Sequence, residues 1–503
     1  YNNAPMIVST AHREKLKISL QKNLLFGNEP TTELFAILSV YFVQGVLGLA
    51  RLAVSFFLKD ELGFTPAQMG ALMGVAAIPW ILKPLFGFLS DGLLLFGYRR
   101  RPYLVLSGVL GTLSWLCMAN LVHTMVAATL ALLVSSLSVA MSDVIVDSLV
   151  VERARKESLG RAGSLQSLTW GISAIGGLIT AYFSGFLLEH VSTRTVFTIT
   201  SLFPLIVILV AGLIAEEKST DQSNPSAIAI RHQVQQVWQA MSQKSILLPT
   251  IFVFLWQATP SADSAFFFFT TNELGFEPEF LGQVRLVSSF AALVGIGIYQ
   301  KFLKTIPFRQ ILGWSTVISC LLGLTTLLLV THANRAIGID DHWFSLGDSL
   351  ILTVMGQIAF MPVLVLSARL CPPGIEATLF ALLMSIWNLS GLVSSEFGAL
   401  LTHWLGVSET NFDNMWLLIT ISNFSTLLPL FLLGWLPVGD PTEITEENRS
   451  RGNFPIAEVF EHRPIGTLTE QSFLPEFMPR ANIHPEEIDP SDTTLLKTPT
   501  SSS

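Results

Sequence analysis

Charged residues are scarce in this chain: Asp, Glu, Lys and Arg make up 13% of its 503 residues, whereas hydrophobic residues make up 50%. This balance excludes an ordinary soluble domain, in which charged residues account for about a quarter of the total. Cysteine is also scarce, and the lack of any CxxC spacing among Cys117, Cys320 and Cys371 excludes a disulfide framework and a cysteine metal centre. No nucleophile motif, phosphate-binding loop or metal-ligand cluster is recognisable. The sequence therefore indicates no enzyme, no cofactor, no metal and no nucleic-acid partner.

Long apolar runs are abundant instead. A helix needs about 20 apolar residues to cross the ~30 Å hydrocarbon core of a bilayer. Twelve runs reach this length, at residues 33–58, 66–91, 103–122, 125–150, 163–188, 195–215, 246–271, 279–301, 310–331, 347–369, 375–403 and 413–437. We therefore predict an all-α membrane protein with twelve transmembrane helices surrounded by lipid. The chain is expected to function as a monomer.

Lys and Arg are distributed unevenly between the connections of these spans. Most lie on the side of the two termini, as in the runs 99–101 and 153–156, and few lie on the other side. Because positive residues stay on the cytoplasmic side of a membrane protein, both termini are predicted to be cytoplasmic.

The net charge of −8 is concentrated at the C-terminal end of the chain. From Asp440 onward, 12 acidic and 5 basic residues lie in a segment rich in Pro, Glu, Ser and Thr. Such a composition buries too little apolar area to order itself. We expect residues 438–503 to form an acidic, mostly disordered cytoplasmic tail and residues 1–32 to form a cytoplasmic N-terminal segment.

One motif occurs twice in the chain. The stretch FFLKDELGFTPAQMG at residues 56–70 returns as FFTTNELGFEPEFLG at residues 268–282, with eight identical residues at a constant offset of 212. Each copy follows the first span of a group of six. Two six-helix halves in parallel repeat, at residues 33–216 and 246–437 with a cytoplasmic linker at 217–245, indicate a transporter of the major facilitator type, whose substrate site lies near the midplane between the halves.

The same offset pairs Arg51 in the first span with Asp263 in the seventh. These two spans line the central cavity in such an architecture, so the opposite charges are expected to face each other or to face a substrate. One interpretation places both residues in the substrate site, with Asp263 also carrying a proton. The other makes them an ion pair between the halves.

The connection between the second and third spans, GFLSDGLLLFGYRRRPY at residues 87–103, resembles the loop signature of major facilitator proteins, although an inserted stretch departs from that pattern. Charge-assisted bonds from such a loop to neighbouring helix ends can hold one conformation and break in another. A cytoplasmic gate is one interpretation, and the alternative is that the arginines only fix the topology. The predicted gate residues are Asp91, Arg99, Arg100, Arg101, Asp147, Glu152, Arg153 and Arg155.

Three longer motifs are more specific: WILKPLFGFLSDGLLLFGYRRRPYL, MSDVIVDSLVVERAR and GSLQSLTWG. Together they resemble the folate-biopterin transporter family, a branch of the major facilitator group found in cyanobacteria, plastids and trypanosomatid protozoa. The resemblance covers roughly residues 33–437. It implies transport of folates or pterins coupled to protons, in a bacterial inner membrane or a plastid envelope.

The polar residues of the spans suit such a substrate. A carboxylate can accept the adjacent amino and ring N–H groups of a pterin as a bidentate pair, and the carboxylates of a folate need cations. The predicted substrate-binding residues are Arg51, Lys83, Asp143, Gln166, Trp170, Asp263 and Arg285. A single amide in a span nevertheless bridges helices more often than it binds substrate. The role of Glu396, deep in the eleventh span, is left open.

Aromatic side chains in the spans offer flat surfaces on which a pterin ring can stack. Most aromatic residues in membrane spans face lipid or pack against other helices, so only one or two are expected to contact substrate. The candidates are Trp80, Trp170, Trp256, Trp387 and Phe266–Phe269.

Asp143 and Asp147 lie one turn apart on one face of the fourth span. A charge at the centre of a lipid-exposed helix costs ~2.5–3.5 kcal/mol, so this face is expected to point into the protein. Asp147, which is closer to the cytoplasmic arginines, is assigned to the gate. Asp143 is the candidate for binding substrate or a proton, with simple helix pairing as its alternative.

These observations predict a secondary active transporter that moves folates or pterins by alternating access, with proton coupling through Asp143 or Asp263. One alternative is a major facilitator transporter for another organic anion. The other is a membrane receptor that binds a ligand without transporting it.

Overall fold

The computed structural model is built from helices and describes residues 25, 28–156, 159–216, 218, 235–303, 306–370 and 376–438. In chain order its helices are α1 (Thr32–Val46), α2 (Leu49–Phe56), α3 (Pro66–Ala76), α4 (Ile78–Ile81), α5 (Lys83–Gly92), α6 (Arg101–Asn120), α7 (Met125–Lys156), α8 (Leu159–His190), α9 (Thr193–Ala211), α10 (Lys244–Gln257), α11 (Asp263–Phe268), α12 (Pro278–Ile298), α13 (Phe308–Gly323), α14 (Thr326–Val330), α15 (Ala333–Ala336), α16 (Asp341–Arg369), α17 (Glu376–Trp404) and α18 (Met415–Ser425). Short π-helical segments extend α2, α11 and α12, and a 3-10 helix, Leu428–Trp435, follows α18.

Ten helical segments of the described chain are long and apolar enough to cross a membrane. They correspond to the predicted spans other than the seventh and the eleventh. The seventh is interrupted, because α10 ends at Gln257 and α11 begins only at Asp263. The eleventh forms the continuous helix α17 of 29 residues, which exceeds the about 20 residues that a crossing needs. The count of twelve spans stays a prediction.

The backbone repeats at the same offset as the sequence motif. The π-helical segment Phe57–Glu61 that ends the first span has its counterpart in Phe269–Glu273, 212 residues later. The following turns match as well, since Gly63 has φ +62° and Gly275 has φ +69°, a backbone conformation that favours glycine. The first helix of each half is also broken, between α1 and α2 and between α10 and α11. The two halves are therefore built to one plan.

The two faces of the molecule are named here by the first span. The near face, predicted to be cytoplasmic, is where α1 begins at Thr32, and the far face is where this span ends at Glu61. At the far face the Nε of Arg194, at the start of α9, lies 2.8 Å from Oε2 of Glu61.

The halves pack directly against each other through α8 with α12 and through α3 with α17. One close approach is between Gly185 and Gly282, where a Cβ atom on Gly185 would lie 2.4 Å from the carbonyl oxygen of Pro278. Lys59 Nζ also donates to Asn272 Oδ1 across the halves at 2.8 Å. All of these contacts lie toward the far face, so the halves are joined there.

Candidate substrate site and gate residues

Lys83 and Asp143, both predicted to bind substrate, form an ion pair in which their side chains are 24% and 14% exposed. Lys83 begins α5 directly after a helix break at Leu82, and this break turns it toward α7, which carries Asp143. The Lys83 Nζ atom also lies 4.5 Å from the ring centroid of Trp80. The pairing satisfies the need of intramembrane charges for a partner. It also brings a carboxylate, an ammonium group and an aromatic ring together.

Asp147, one turn closer to the near face, accepts a hydrogen bond from the hydroxyl group of Tyr41. Tyr41 lies on α1, is only 4% exposed and interacts electrostatically with both aspartates. Tyr41 was not predicted from the sequence, where the signal was a lone phenol in an apolar helix. We call Tyr41, Lys83, Asp143 and Asp147 the polar cluster; it joins α1, α5 and α7 within the N-terminal half.

The described arginines of the predicted gate, Arg99, Arg100 and Arg101, bind within the N-terminal half. The Glu216 carboxylate, after the end of α9, accepts hydrogen bonds from the backbone N–H groups of Arg100 and Arg101, the latter at 3.0 Å. An acid at this position suits the positive end of α6. Arg101 Nε donates to the carbonyl oxygen of Ile214 at 2.6 Å, and Arg100 Nη1 lies 3.0 Å from Ser90 Oγ. Glu216 was missed from the sequence, although an acid directly after the sixth span, facing three arginines, was a usable signal.

The C-terminal half uses the same device. Arg309, at the start of α13, donates from Nε to the carbonyl oxygen of Leu436 at 2.7 Å and from Nη2 to that of Gly434 at 2.8 Å. In both halves an arginine at the start of the third span thus binds the carbonyl groups that end the sixth. This recurrence identifies a structural clasp within each half.

Arg51 and Arg285 meet at the broken first span. The Gly48 carbonyl oxygen, which lies between α1 and α2, accepts from the backbone N–H of Arg51 at 3.2 Å and from Arg285 Nη1 and Nη2 at 3.4 Å. Arg285 Nη1 also lies 3.3 Å from Ser184 Oγ, and the two guanidinium groups are close enough to repel each other. Within the described part of the chain neither guanidinium is ion-paired with a carboxylate.

Asp263 begins α11, and its backbone N–H donates to Ser261 Oγ at 3.2 Å. Its side chain is exposed, and no ion pair joins it to Arg51, although both residues are described. The structure thus brings Arg51 together with Arg285, which the sequence did not predict.

Three aromatic rings lie close together in the C-terminal half. The ring centroid of Trp387 on α17 lies 5.1 Å from that of Phe360 and 6.2 Å from that of Trp256. Trp256 Nε1 donates to Thr316 Oγ1 at 2.8 Å. We call Trp256, Phe360 and Trp387 the aromatic cluster. Asn388, the next residue on α17, donates to the Trp80 carbonyl oxygen of the other half at 3.3 Å.

The described ion pairs of the C-terminal half lie at its far end. Arg335 Nη2 lies 2.6 Å from Asp341 Oδ2, and the hydrogen bonds to Asp341 raise the pKa of Arg335 above its usual value. Exposed pairs of this kind add little stability, and this pair lies away from the polar cluster.

Several predicted residues cannot be placed in the site. The side chains of Asp91, Glu152, Arg153, Arg155, Gln166 and Trp170 lie outside the described residues. The same holds for residues 439–503 and for most of the segments 1–32 and 217–245.

The fold is shared with solved transporters. The nucleoside transporter NupG matches with a TM-score of 0.60 at 15% identity, over 81% of this chain and 99% of that chain. A D-xylose-proton symporter matches with a TM-score of 0.59 at 16% identity, over 80% of this chain and 98% of its own. The prediction of an all-α major facilitator type fold is thereby confirmed at the level of the fold.

Relatives in sequence narrow the class. A folate-biopterin transporter from Synechocystis sp. is 65% identical over 474 residues, covering 92% of this chain and 95% of its own length. Folate transporter 2 of Plasmodium falciparum is 33% identical over 406 residues, covering 80% of this chain and 88% of its own. The sequence profile of the BT1 family matches residues 44–453. The chain belongs to the BT1 family, so it is an integral multi-pass transporter, as the three motifs predicted, and it is not an enzyme.

Proposed function

We propose that this transporter moves folates or pterins across a bacterial or plastid membrane by alternating access, coupled to protons. The family relationship supports the substrate class, because the relative at 65% identity is a folate-biopterin transporter. The observation that carries the proposal is the pair of guanidinium groups of Arg51 and Arg285, which have no described carboxylate partner. The same fold also carries the polar cluster and the aromatic cluster.

Arg51 and Arg285 bind the carboxylates of the substrate. Lys83, the third cation predicted for this role, is already neutralised by Asp143. The Arg285 guanidinium, in contrast, binds only carbonyl and hydroxyl oxygens, and the Arg51 guanidinium has no ion pair among the described residues. A guanidinium group binds a carboxylate in a bidentate geometry, and two of them suit the two carboxylates of a folate glutamate. An anion between them would also relieve their mutual repulsion.

The polar cluster binds the pterin end. Asp143 offers a carboxylate for the amino and ring N–H groups, and Trp80 beside Lys83 offers a ring for stacking. Tyr41 and Arg51 are ten residues apart on the first span, which is about 15 Å at 1.5 Å per residue. An elongated molecule with a ring at one end and carboxylates at the other, as in a folate, can span this separation. Gln166 and Trp170 remain candidates for the same end.

Asp143 and Asp263 are the proposed proton carriers. Asp143 can take up a proton when Lys83 turns from it to another partner, and Asp263 is exposed without a described ion partner. Intramembrane carboxylates of this kind serve as proton relays in transporters.

The halves, joined here at the far face, would separate there and close at the near face during transport. We place twelve spans in the membrane, both termini in the cytoplasm, and the gate formed by Asp91, Arg99, Arg100, Arg101, Asp147, Glu152, Arg153 and Arg155 at the near face. The protein is proposed to act as a monomer.

Uptake by the purified protein in proteoliposomes tests this function. Labelled folate and labelled biopterin, which lacks the glutamate carboxylates, are offered under an imposed pH gradient. Both are expected to accumulate, and Arg51→Met and Arg285→Met are expected to lower folate uptake by at least about tenfold, since a hydrogen bond to a charged group contributes about 1.5–3 kcal/mol. Biopterin uptake should change less than about twofold, because no carboxylate is bound.

Lys244→Met is the matched control, because Lys244 is an exposed cation at the start of α10, and both substrates should be transported as by the wild type. Binding without accumulation would replace the transporter proposal by a receptor. Accumulation of another organic anion, with no uptake of either pteridine, would replace the substrate class.

A further inference from the structure

Glu396 is a carboxylate that the proposed function does not use. It lies on α17, eight residues before the far-face end of this helix at Trp404. Its Oε1 atom is buried and has no hydrogen-bond partner. An intramembrane carboxylate that lacks a partner calls for an explanation.

The surroundings of Glu396 belong to the other half of the molecule. Its carboxyl group lies against Gly74 of α3, where a Cβ atom would be 2.7 Å from Glu396 Oε1. One turn further toward the far face, Ala399 lies against Gly70, whose Cβ position would be 3.3 Å from the alanine Cβ. Two glycines four residues apart thus let α17 approach α3, and Oε1 of the half-buried Glu396 side chain lies in the contact between the halves.

No opposite charge compensates the Glu396 carboxyl group. None of the described charged or titratable groups on α17, or on the elements packed against α17, is ion-paired with Glu396. Those groups are Lys83, Lys244, Asp263, Asp341, His342, Asp348 and His403.

The two protonation states of Glu396 therefore differ in how well they fit the joined halves. Loss of hydration without a compensating partner disfavours the ionised carboxylate, whereas a protonated carboxyl group avoids the charge. Once the halves separate at the far face, water can hydrate Glu396 and the ionised form is stabilised.

We propose that Glu396 is a proton-binding site coupled to closure of the far face: closure takes a proton onto the carboxylate, and opening returns it to water on the far side. Protonation converts the carboxylate to a neutral carboxyl group, and no other reactant is required. The inference rests on the proposed alternation between the two faces and holds for any substrate. It identifies a proton site distinct from Asp143 and Asp263.

Distance measurements between spin labels test this coupling. The labels are placed on Val126→Cys and Ile337→Cys, exposed positions at the far face of opposite halves, in full-length protein from which the native cysteines have been removed, reconstituted in lipid nanodiscs. The wild type is expected to shift from far-face closed to far-face open as the pH rises. One linked proton changes the ratio of the two states by up to about tenfold per pH unit.

Glu396→Gln, a neutral side chain of the same size, is expected to stay closed at every pH, with the closed distance of the wild type at acid pH. Glu396→Asp should keep a pH response, because it keeps an ionisable group. Glu189→Gln is the matched control, since Glu189 is an exposed carboxylate near the far end of α8, and its response should equal that of the wild type.

Two results would overturn the inference. If Glu396→Gln kept the pH response of the wild type, or if Glu396→Asp lost it, Glu396 would not be the coupled site, while the proposed transport would stand. If the wild type showed one distance at every pH and also with folate or biopterin added, both the inference and the proposed alternation would fail.

Discussion

The two halves of the molecule share a backbone plan but present different chemistry at the centre of the membrane. In the N-terminal half, α1, α5 and α7 bring hydroxyl, ammonium and carboxylate groups together in the polar cluster. In the C-terminal half, α10, α16 and α17 bring rings together in the aromatic cluster. The comparison leads us to expect different roles for the two clusters: the polar cluster would recognise hydrogen-bonding groups of the substrate, and the aromatic cluster would supply flat apolar surface.

Breaking the ion pair of the N-terminal half should have the largest effect. Lys83→Met leaves Asp143 with no cation, and the loss of one partner from a buried pair costs on the order of 3 kcal/mol. We expect uptake of folate and of biopterin to fall by at least about a hundredfold, because the remaining carboxylate no longer has the geometry that binds a pterin. Initial uptake rates and the thermal midpoint of the detergent-solubilised protein measure the two consequences.

Exchange of the two charges distinguishes recognition from mere stability. The double variant Lys83→Asp with Asp143→Lys restores the pair, so its thermal midpoint should recover while its uptake stays low. Recovery of both would mean that the pair holds helices together and contacts no substrate. Lys244→Met, at an exposed lysine, should leave both quantities unchanged.

The repeat and the family could be predicted from the sequence because both depend on local patterns. The motif that follows the first span of each half contains Gly63 and Gly275, whose positive φ angles end matching π-helical segments. Apolar runs of sufficient length likewise predict the helices, since a bilayer requires about 20 residues per crossing. The break between α10 and α11 was not predicted, because an apolar run has the same hydropathy whether its helix is continuous or broken.

The partners within the site could not be predicted, because they depend on tertiary contacts between distant positions. Lys83 and Asp143 were each selected, but only the packing of α5 against α7 shows that they neutralise each other. Arg51 was paired with Asp263 from the repeat, whereas the break at Gly48 brings it to Arg285. Equivalent positions in a repeat need not touch, because the axis that relates the halves places them on opposite sides of it.

Loosening the contact between the halves should have an intermediate effect. In Gly185→Ala the new methyl group would lie 2.4 Å from the backbone carbonyl oxygen of Pro278, so α8 and α12 must move apart and the closed far face is destabilised. We expect transport to fall by about tenfold while substrate binding persists, since overpacking costs about 1–3 kcal/mol. Labelling of a far-face cysteine should become faster.

Gly177→Ala is the control for this change, because it adds the same methyl group to the same helix at a position where the methyl would meet no atom of another helix within 4 Å. The gain in helix propensity is equal in both variants, so only the contact differs. Equal transport by the two variants would show that the glycine contact is not needed for closure.

Removing a ring from the aromatic cluster should have the smallest effect on uptake, and this effect should differ least between folate and biopterin. Trp387→Leu removes a ring that packs 5.1 Å from Phe360, and stacking of aromatic pairs contributes about 0.5–1.5 kcal/mol, so the KM of uptake should rise by about twofold to tenfold. Folate and biopterin should be affected equally, because both carry the pterin ring, in contrast to Arg285→Met, which should affect folate alone. Trp314→Leu, at a tryptophan that is 69% exposed on α13, should leave both KM values unchanged. A larger loss for folate than for biopterin in Trp387→Leu would mean that the aromatic cluster also recognises the glutamate end, and the expected division between the two clusters would not hold.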